Sequence, residues 1–187
     1  MPYTLEQFCR DARQALQTEP GPAGRQQVGR HLERLLANAE FVQATLGPDA
    51  PLGRRTLYED KALGFVVLAH VNKDPHKSPP HDHGNSWAVY GQALQYTDMT
   101  EYRRLDGGAG AGKADLEAVR SYRLEPGKAG VYDVGNIHAI AYPADTRMIR
   151  VTGKDLDHVE RLRFDMQAKR AEVIASASAS GAAARAG

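Results

Sequence analysis

With 187 residues the chain has the length of one domain. It can bury about 70% of its unfolded surface, so folding needs neither a disulfide nor a metal. Lys and Arg total 24 against 23 Asp and Glu, which excludes the strongly basic footprint of a nucleic-acid binder or of a protein held on an acidic membrane. Cys9 is the single cysteine, so no intrachain disulfide can form. The longest apolar run, Leu63 to Val71, is interrupted by Gly64 and His70 and is too short to span a bilayer. The first residues lack the basic-then-apolar pattern of a leader. The expectation is a cytoplasmic monomer or homodimer with no nucleic-acid or membrane partner.

Residues 4–19 are predicted to form a helix, because Thr4 and Gln7 have capping-box spacing and Leu5, Phe8, Cys9, Ala12 and Leu16 repeat at helical intervals. Cys9 falls on that apolar stripe, where it serves as a small core residue. The segment EPGPAG (Glu19–Gly24) breaks the pattern. A second helix follows with Val28, Leu32, Leu35, Leu36, Ala39 and Val42 on one face, running to Leu46 before Gly47 and Pro48 stop it.

After Pro51 the pattern changes to short β-branched and aromatic segments. Candidate strands are Arg55–Tyr58, Phe65–Val71, Ser86–Tyr96, Glu101–Leu105, Ala118–Leu124, Gly130–Tyr132, His138–Tyr142 and Arg147–Thr152. So many strands without amphipathic helices between them point to a mainly β protein, a closed sandwich or barrel. The stretch DGGAGAGKAD (Asp106–Asp115) is a loop within it, and the terminal ASASASGAAARAG has nothing to bury. The expected plan is a helical extension over 1–50, a barrel over 51–170 and a disordered small-residue tail over 171–187.

The chemistry concentrates in SPPHDHGNSWAVYGQALQY, residues 78–96. His81 and His83 are two apart at the start of a strand pattern, so both imidazoles share a face while Asp82 points the other way. Two neutral imidazoles on one strand face make half of a metal site. His138, which follows a Pro126-Gly127 turn region and opens another short strand, is the candidate for the third ligand.

These two stretches resemble the paired motifs of the cupin superfamily. The first begins HxH and closes on a glycine, as HDH here reaches Gly91; the second passes a Pro-Gly turn to a histidine, as Pro126-Gly127 leads to His138. The glutamate that most cupins place after the second histidine is missing, and Ser86, Trp87 and Ala88 stand there. Three histidines without the carboxylate resemble the cysteine dioxygenase type, the thiol dioxygenases. The likeness covers about residues 52–152 in its order of arginine, strand, HDH and long following strand. It implies a double-stranded β-helix, the jelly-roll barrel, with two N-terminal α-helices. It also implies Fe(II) on His81, His83 and His138, with Ni, Zn, Mn or Cu as other divalent candidates. The partners implied are O2 and a small anionic substrate, a thiol or another class.

Within that resemblance Arg55 takes the position that holds a substrate carboxylate, a task suited to a planar two-pronged donor. Arg150 is the alternative anchor, and Trp87 and Tyr90 are the aromatic residues expected to line the pocket. Two departures stand out. Ala88 replaces the crosslinking cysteine of the mammalian enzymes, and Met148, Arg150 and Thr152 occupy the spacing of the Ser-His-Tyr relay. The alternatives are therefore a metal-dependent cupin enzyme with a non-thiol substrate, or a non-catalytic cupin binding a metal or small ligand. Of the other histidines, His70 reads as a core group, His76 as a loop residue, and His31 and His158 as surface residues.

Overall fold

A computed structural model describes residues 2–174. Three helices open the chain: α1 (Leu5–Thr18), α2 (Pro22–Leu36) and α3 (Ala39–Leu46). The Thr4–Gln7 capping box is present at the start of α1. The second predicted helix is in fact two. Asn38 separates them, because its side-chain oxygen accepts from the Glu40 and Phe41 amides and its Nδ2 donates to the Tyr3 carbonyl. A side chain that caps a new helix competes with continuing the old one.

The strands are β1 (Gly53–Glu59), β2 (Val66–Val71), β3 (His76–Lys77), β4 (Ala88–Leu94), β5 (Thr97–Arg104), β6 (Gly112–Lys113), β7 (Leu116–Leu124), β8 (Ala129–Tyr132), β9 (Ile137–Tyr142), β10 (Arg147–Thr152), β11 (Arg161–Asp165) and β12 (Arg170–Ile174). One sheet runs β1-β2-β10-β4-β8 and a second β3-β9-β5-β7, all antiparallel. Each barrel strand thus pairs with its mirror in the chain: β2 with β10, β3 with β9, β4 with β8 and β5 with β7. That nesting is a long hairpin rolled up on itself, the jelly-roll barrel, closed by β10 against β4 and β9 against β5. The predicted strand over 86–96 ends at Leu94, where Gln95 takes a left-handed conformation and turns the chain into β5. The Pro126-Gly127 turn is confirmed, with Gly127 at φ +81° and the Lys128 amide donating to Glu125.

The helices cover the first sheet. Alternate residues Val67, Ala69, Val71, Val89, Ile149 and Val151 pack with Phe8, Val28, Leu32 and Leu35. The opposite faces of the same strands, with Ala88, Tyr90 and Met148, look into the barrel. β11 and β12 form a flap with β6 over the second sheet, packed through Phe164, Ile137, Ala114 and Ala171. β12 runs to Ile174, so residues 171–174, read as the start of the tail, are part of a sheet. Val173 and Ile174 supply the β propensity that the later Ala-Ser repeat lacks. The remainder of that tail, 175–187, lies outside the described residues. Among those residues, no helix is long and apolar enough to cross a membrane.

Candidate functional site

His81 precedes β4 and pairs through its backbone with His138 at the start of β9, the amide of each donating to the carbonyl of the other at 2.9 and 3.0 Å. His83 points inward beside them. Each of the three imidazoles offers one nitrogen, and these ligand atoms all lie within 4.8 Å of one another. Ring centroids are 4.6 Å apart for His81 and His138, 4.8 Å for His83 and His138, and 5.6 Å for His81 and His83. Asp82 faces away, as the alternation requires, and its carboxylate accepts from the Gly84 and Leu162 amides. It fastens the histidine segment to β11.

Burial sets the electrostatics. It lowers the pKa of all three histidines, with the neighbouring histidines adding to the effect at His83 and His138 and Arg161 and Arg150 at His81, and His138 falls to about 3. The rings are therefore neutral at ordinary pH, the form that ligates a metal. The Nδ1 of His81 lies 3.0 Å from the Pro79 carbonyl. A carbonyl only accepts, so Nδ1 carries the proton and Nε2 holds the free lone pair, the usual orientation of a ligating histidine. Three neutral nitrogens and no carboxylate fit one divalent transition metal.

Around this cluster the barrel is aromatic. The Tyr90 hydroxyl lies 3.2 Å from His83 Nε2 and 3.4 Å from His138 Nε2. Tyr132 stacks on His138 at 4.1 Å between ring centroids, and its hydroxyl meets that of Tyr122 at 2.8 Å.

A cavity of about 360 Å³ opens beside the histidines. His81 and Tyr90 form its inner wall, and Arg150, Arg161, His70 and Tyr142 stand around it. Arg150 lies directly across from Tyr90 in the β10–β4 pairing. Burial, with Arg150 and Arg54 adding to it, lowers the His70 pKa to about 3, so that ring is neutral.

Of the substrate residues expected from sequence, Tyr90 and Arg150 are at this cavity and Arg55 and Trp87 are not. Arg55 pairs with Ala69 on the helix-facing side of the sheet and donates to the Thr45 carbonyl at 2.7 Å, tying β1 to the end of α3. Its neighbour Arg54 pairs with His70 on the other side, but is engaged by Asp157. Trp87 packs in the core between helices and sheet, against Gly153. Both corrections have one cause, since a residue one place along a strand points to the opposite face. Arg161, Arg163 and His70 were missed as site residues. The alternation in RLRFD (161–165) is a strand signal that puts both arginines on one face. His70, read as a core group, leaves its Nε2 buried without a partner. His76 is exposed at the cavity rim beside Tyr142.

No protein-family profile and no curated protein matches the sequence. Among solved structures, the cupin domain of Cnp3 from Schizosaccharomyces pombe aligns with TM-score 0.44 and 11% identity over 59% of this chain and 68% of its own. KdgF from Halomonas sp. aligns with TM-score 0.40 and 14% identity, over 53% and 74% of the two chains. A cupin superfamily protein from Desulfitobacterium hafniense DCB-2 gives 0.39 and 15%, over 55% and 76%. At such scores and identities these likenesses assign neither metal nor substrate. The fold class, a mainly β jelly-roll barrel, rests on the strand order itself.

Proposed function

We propose that the protein is a mononuclear Fe(II)-dependent dioxygenase of the cysteine dioxygenase type, acting on a small anionic substrate. One juxtaposition carries this reading: three neutral imidazoles converge on a point beside a cavity whose free charges are all positive. His81, His83 and His138 would hold the iron, which would supply binding positions for substrate and dioxygen and the electron density that activates oxygen.

The chain supplies the rest. The Pro79 carbonyl fixes the His81 tautomer. Arg150 and Arg161 replace Arg55 as the cations that orient an anionic group. Tyr90, within hydrogen-bond reach of two of the ligand nitrogens, is placed to donate to whatever reacts beside them. Ile140 and Met148 give the cavity apolar walls that limit water. With a thiol substrate the overall change is RSH + O2 → RSO2H. Both oxygen atoms end on sulfur, and no external reductant is needed.

Oxygen uptake tests this. Protein stripped of metal and loaded anaerobically with Fe(II) is mixed with oxygen and a panel of small thiol and non-thiol carboxylates. One dioxygen consumed per sulfinate formed supports the reading. Turnover of a non-thiol acid alone moves the chemistry to the alternative substrate class, and no uptake by fully loaded protein refutes an oxygenase.

A further inference from the structure

Most arginines among the described residues are ion-paired or donate to backbone carbonyls, and the exposed Arg30, Arg34 and Arg170, which do neither, do not line the cavity. Around the cavity mouth Arg163 pairs with Glu172 at 3.0 Å, and Arg54 is held by Asp157. On the far side of the sheet Arg147 donates to the Leu46 and Gly47 carbonyls at the end of α3. Arg150 and Arg161 are different. Both line the cavity, both are half-buried, and neither makes an ion pair among the described residues. The Nε atom of each is buried without a hydrogen-bond partner, as is Nε2 of His70 on the same cavity. Among the described residues, no aspartate or glutamate lines the cavity. Burial and the nearby Arg150 lower the pKa of Arg161, and Asp157, which is itself paired with Arg54, only partly opposes them.

We propose that Arg150 and Arg161 form the receptor for a compact dianion, so that the substrate carries two negative charges on the part of it that meets these two arginines. This rests on the cavity being the substrate site and adds the charge and shape of what enters it. Two half-buried cations without a direct ion-pair partner destabilise the empty protein. A monoanion neutralises one of them and leaves the other; a dianion neutralises both. Two planar guanidinium forks meet either a pair of carboxylates or the oxygens of one phosphoryl or phosphonyl group. The cavity is at the small end of ligand sites, which sets the scale of the molecule. His81 and Tyr90 on the inner wall leave room for the reacting group to face the histidine cluster.

The test uses the full chain freed of metal by chelation, so that it does not depend on iron or turnover. Binding of malonate, inorganic phosphate and acetate is measured by calorimetry at mildly alkaline pH, where the first two are dianions. At least one dianion is expected to bind about tenfold or more tightly than acetate. Which of the two is preferred distinguishes a dicarboxylate from a phosphoryl or phosphonyl group. Arg150→Met and Arg161→Met should each weaken dianion binding by about ten- to a hundredfold. Arg123→Met, whose arginine pairs with Asp98 away from the cavity, should change it little. Each single Met variant also removes one of two repelling charges, so it should melt at or above the wild-type temperature, which separates lost binding from lost folding. Acetate binding as tightly as both dianions overturns the proposal. So do folded Met variants that keep full dianion affinity, and so does absence of binding by all three anions. None of these results bears on the metal, which is measured separately by the metal content of His83→Ala.

Discussion

The hydroxyl of Tyr90 stands 3.2 Å from Nε2 of His83, joining the cavity wall to the histidine cluster through one oxygen. Burial raises the Tyr90 pKa and Arg150 opposes that rise, so the hydroxyl stays protonated beside two neutral imidazoles. On the proposed function, a donor in that place acts on the reacting group and not on the fold. Tyr90→Phe is expected to keep its metal and its melting temperature while turnover falls about 10²-fold or more. Metal analysis and steady-state kinetics on the same preparation check this.

Arg55→Met should leave KM unchanged, because the side chain lies on the helix side of the sheet. Its cost should appear in stability. Losing the bond to the Thr45 carbonyl removes about 1 kcal/mol, a fall in Tm of about 2–4 °C. A large rise in KM without loss of stability would return Arg55 to the substrate site.

Asp60 offers a pH test. Burial alone would raise its pKa, but Arg13, the Leu63 and Ala62 amides and the Tyr58 hydroxyl outweigh that and hold it below the usual range. A depressed carboxylate pKa contributes stability that is complete above the unfolded value of 3.8 and is lost as pH falls through the folded value. Asp60→Asn should therefore be less stable at neutral pH, by about 1–3 kcal/mol. It should also lack part of the wild-type loss of stability below that pH. Melting curves of both proteins across the acid range decide it.

Gly91 sits where α2 crosses the first sheet. A Cβ there would lie 2.6 Å from Leu32 Cδ2 and 2.8 Å from Leu36 Cδ1. Gly91→Ala forces the helix away from the strand and should cost about 1–3 kcal/mol. The histidines lie on other segments, so the variant should still bind metal. Denaturant unfolding with metal analysis tests both halves.

The parts of the site that follow from local pattern were legible in the sequence. Same-face spacing put His81 and His83 together, and the Pro126-Gly127 turn marked the start of the region, β8 then β9, that carries His138. What depends on pairing between distant strands was not legible. Whether Arg54 or Arg55 looks into the barrel is decided by the register of β1 on β2, Arg54 opposite His70 and Arg55 opposite Ala69. Arg161 reaches the cavity because Asp82 docks β11 against the histidine segment through Leu162, a contact 80 residues apart in the chain. The two-residue strands β3 and β6 are too short to leave a periodic signal. The break at Asn38, by contrast, had a signal in its capping residue type.

The central claim is that His81, His83 and His138 together hold one metal ion. Its most direct test is the metal content of wild type and His83→Ala after Fe(II) reconstitution and removal of loosely bound ions. One ion per wild-type chain, with most of it lost from a His83→Ala protein that still melts cooperatively, is the expected result. Full occupancy in His83→Ala, or none in the wild type, would contradict the site.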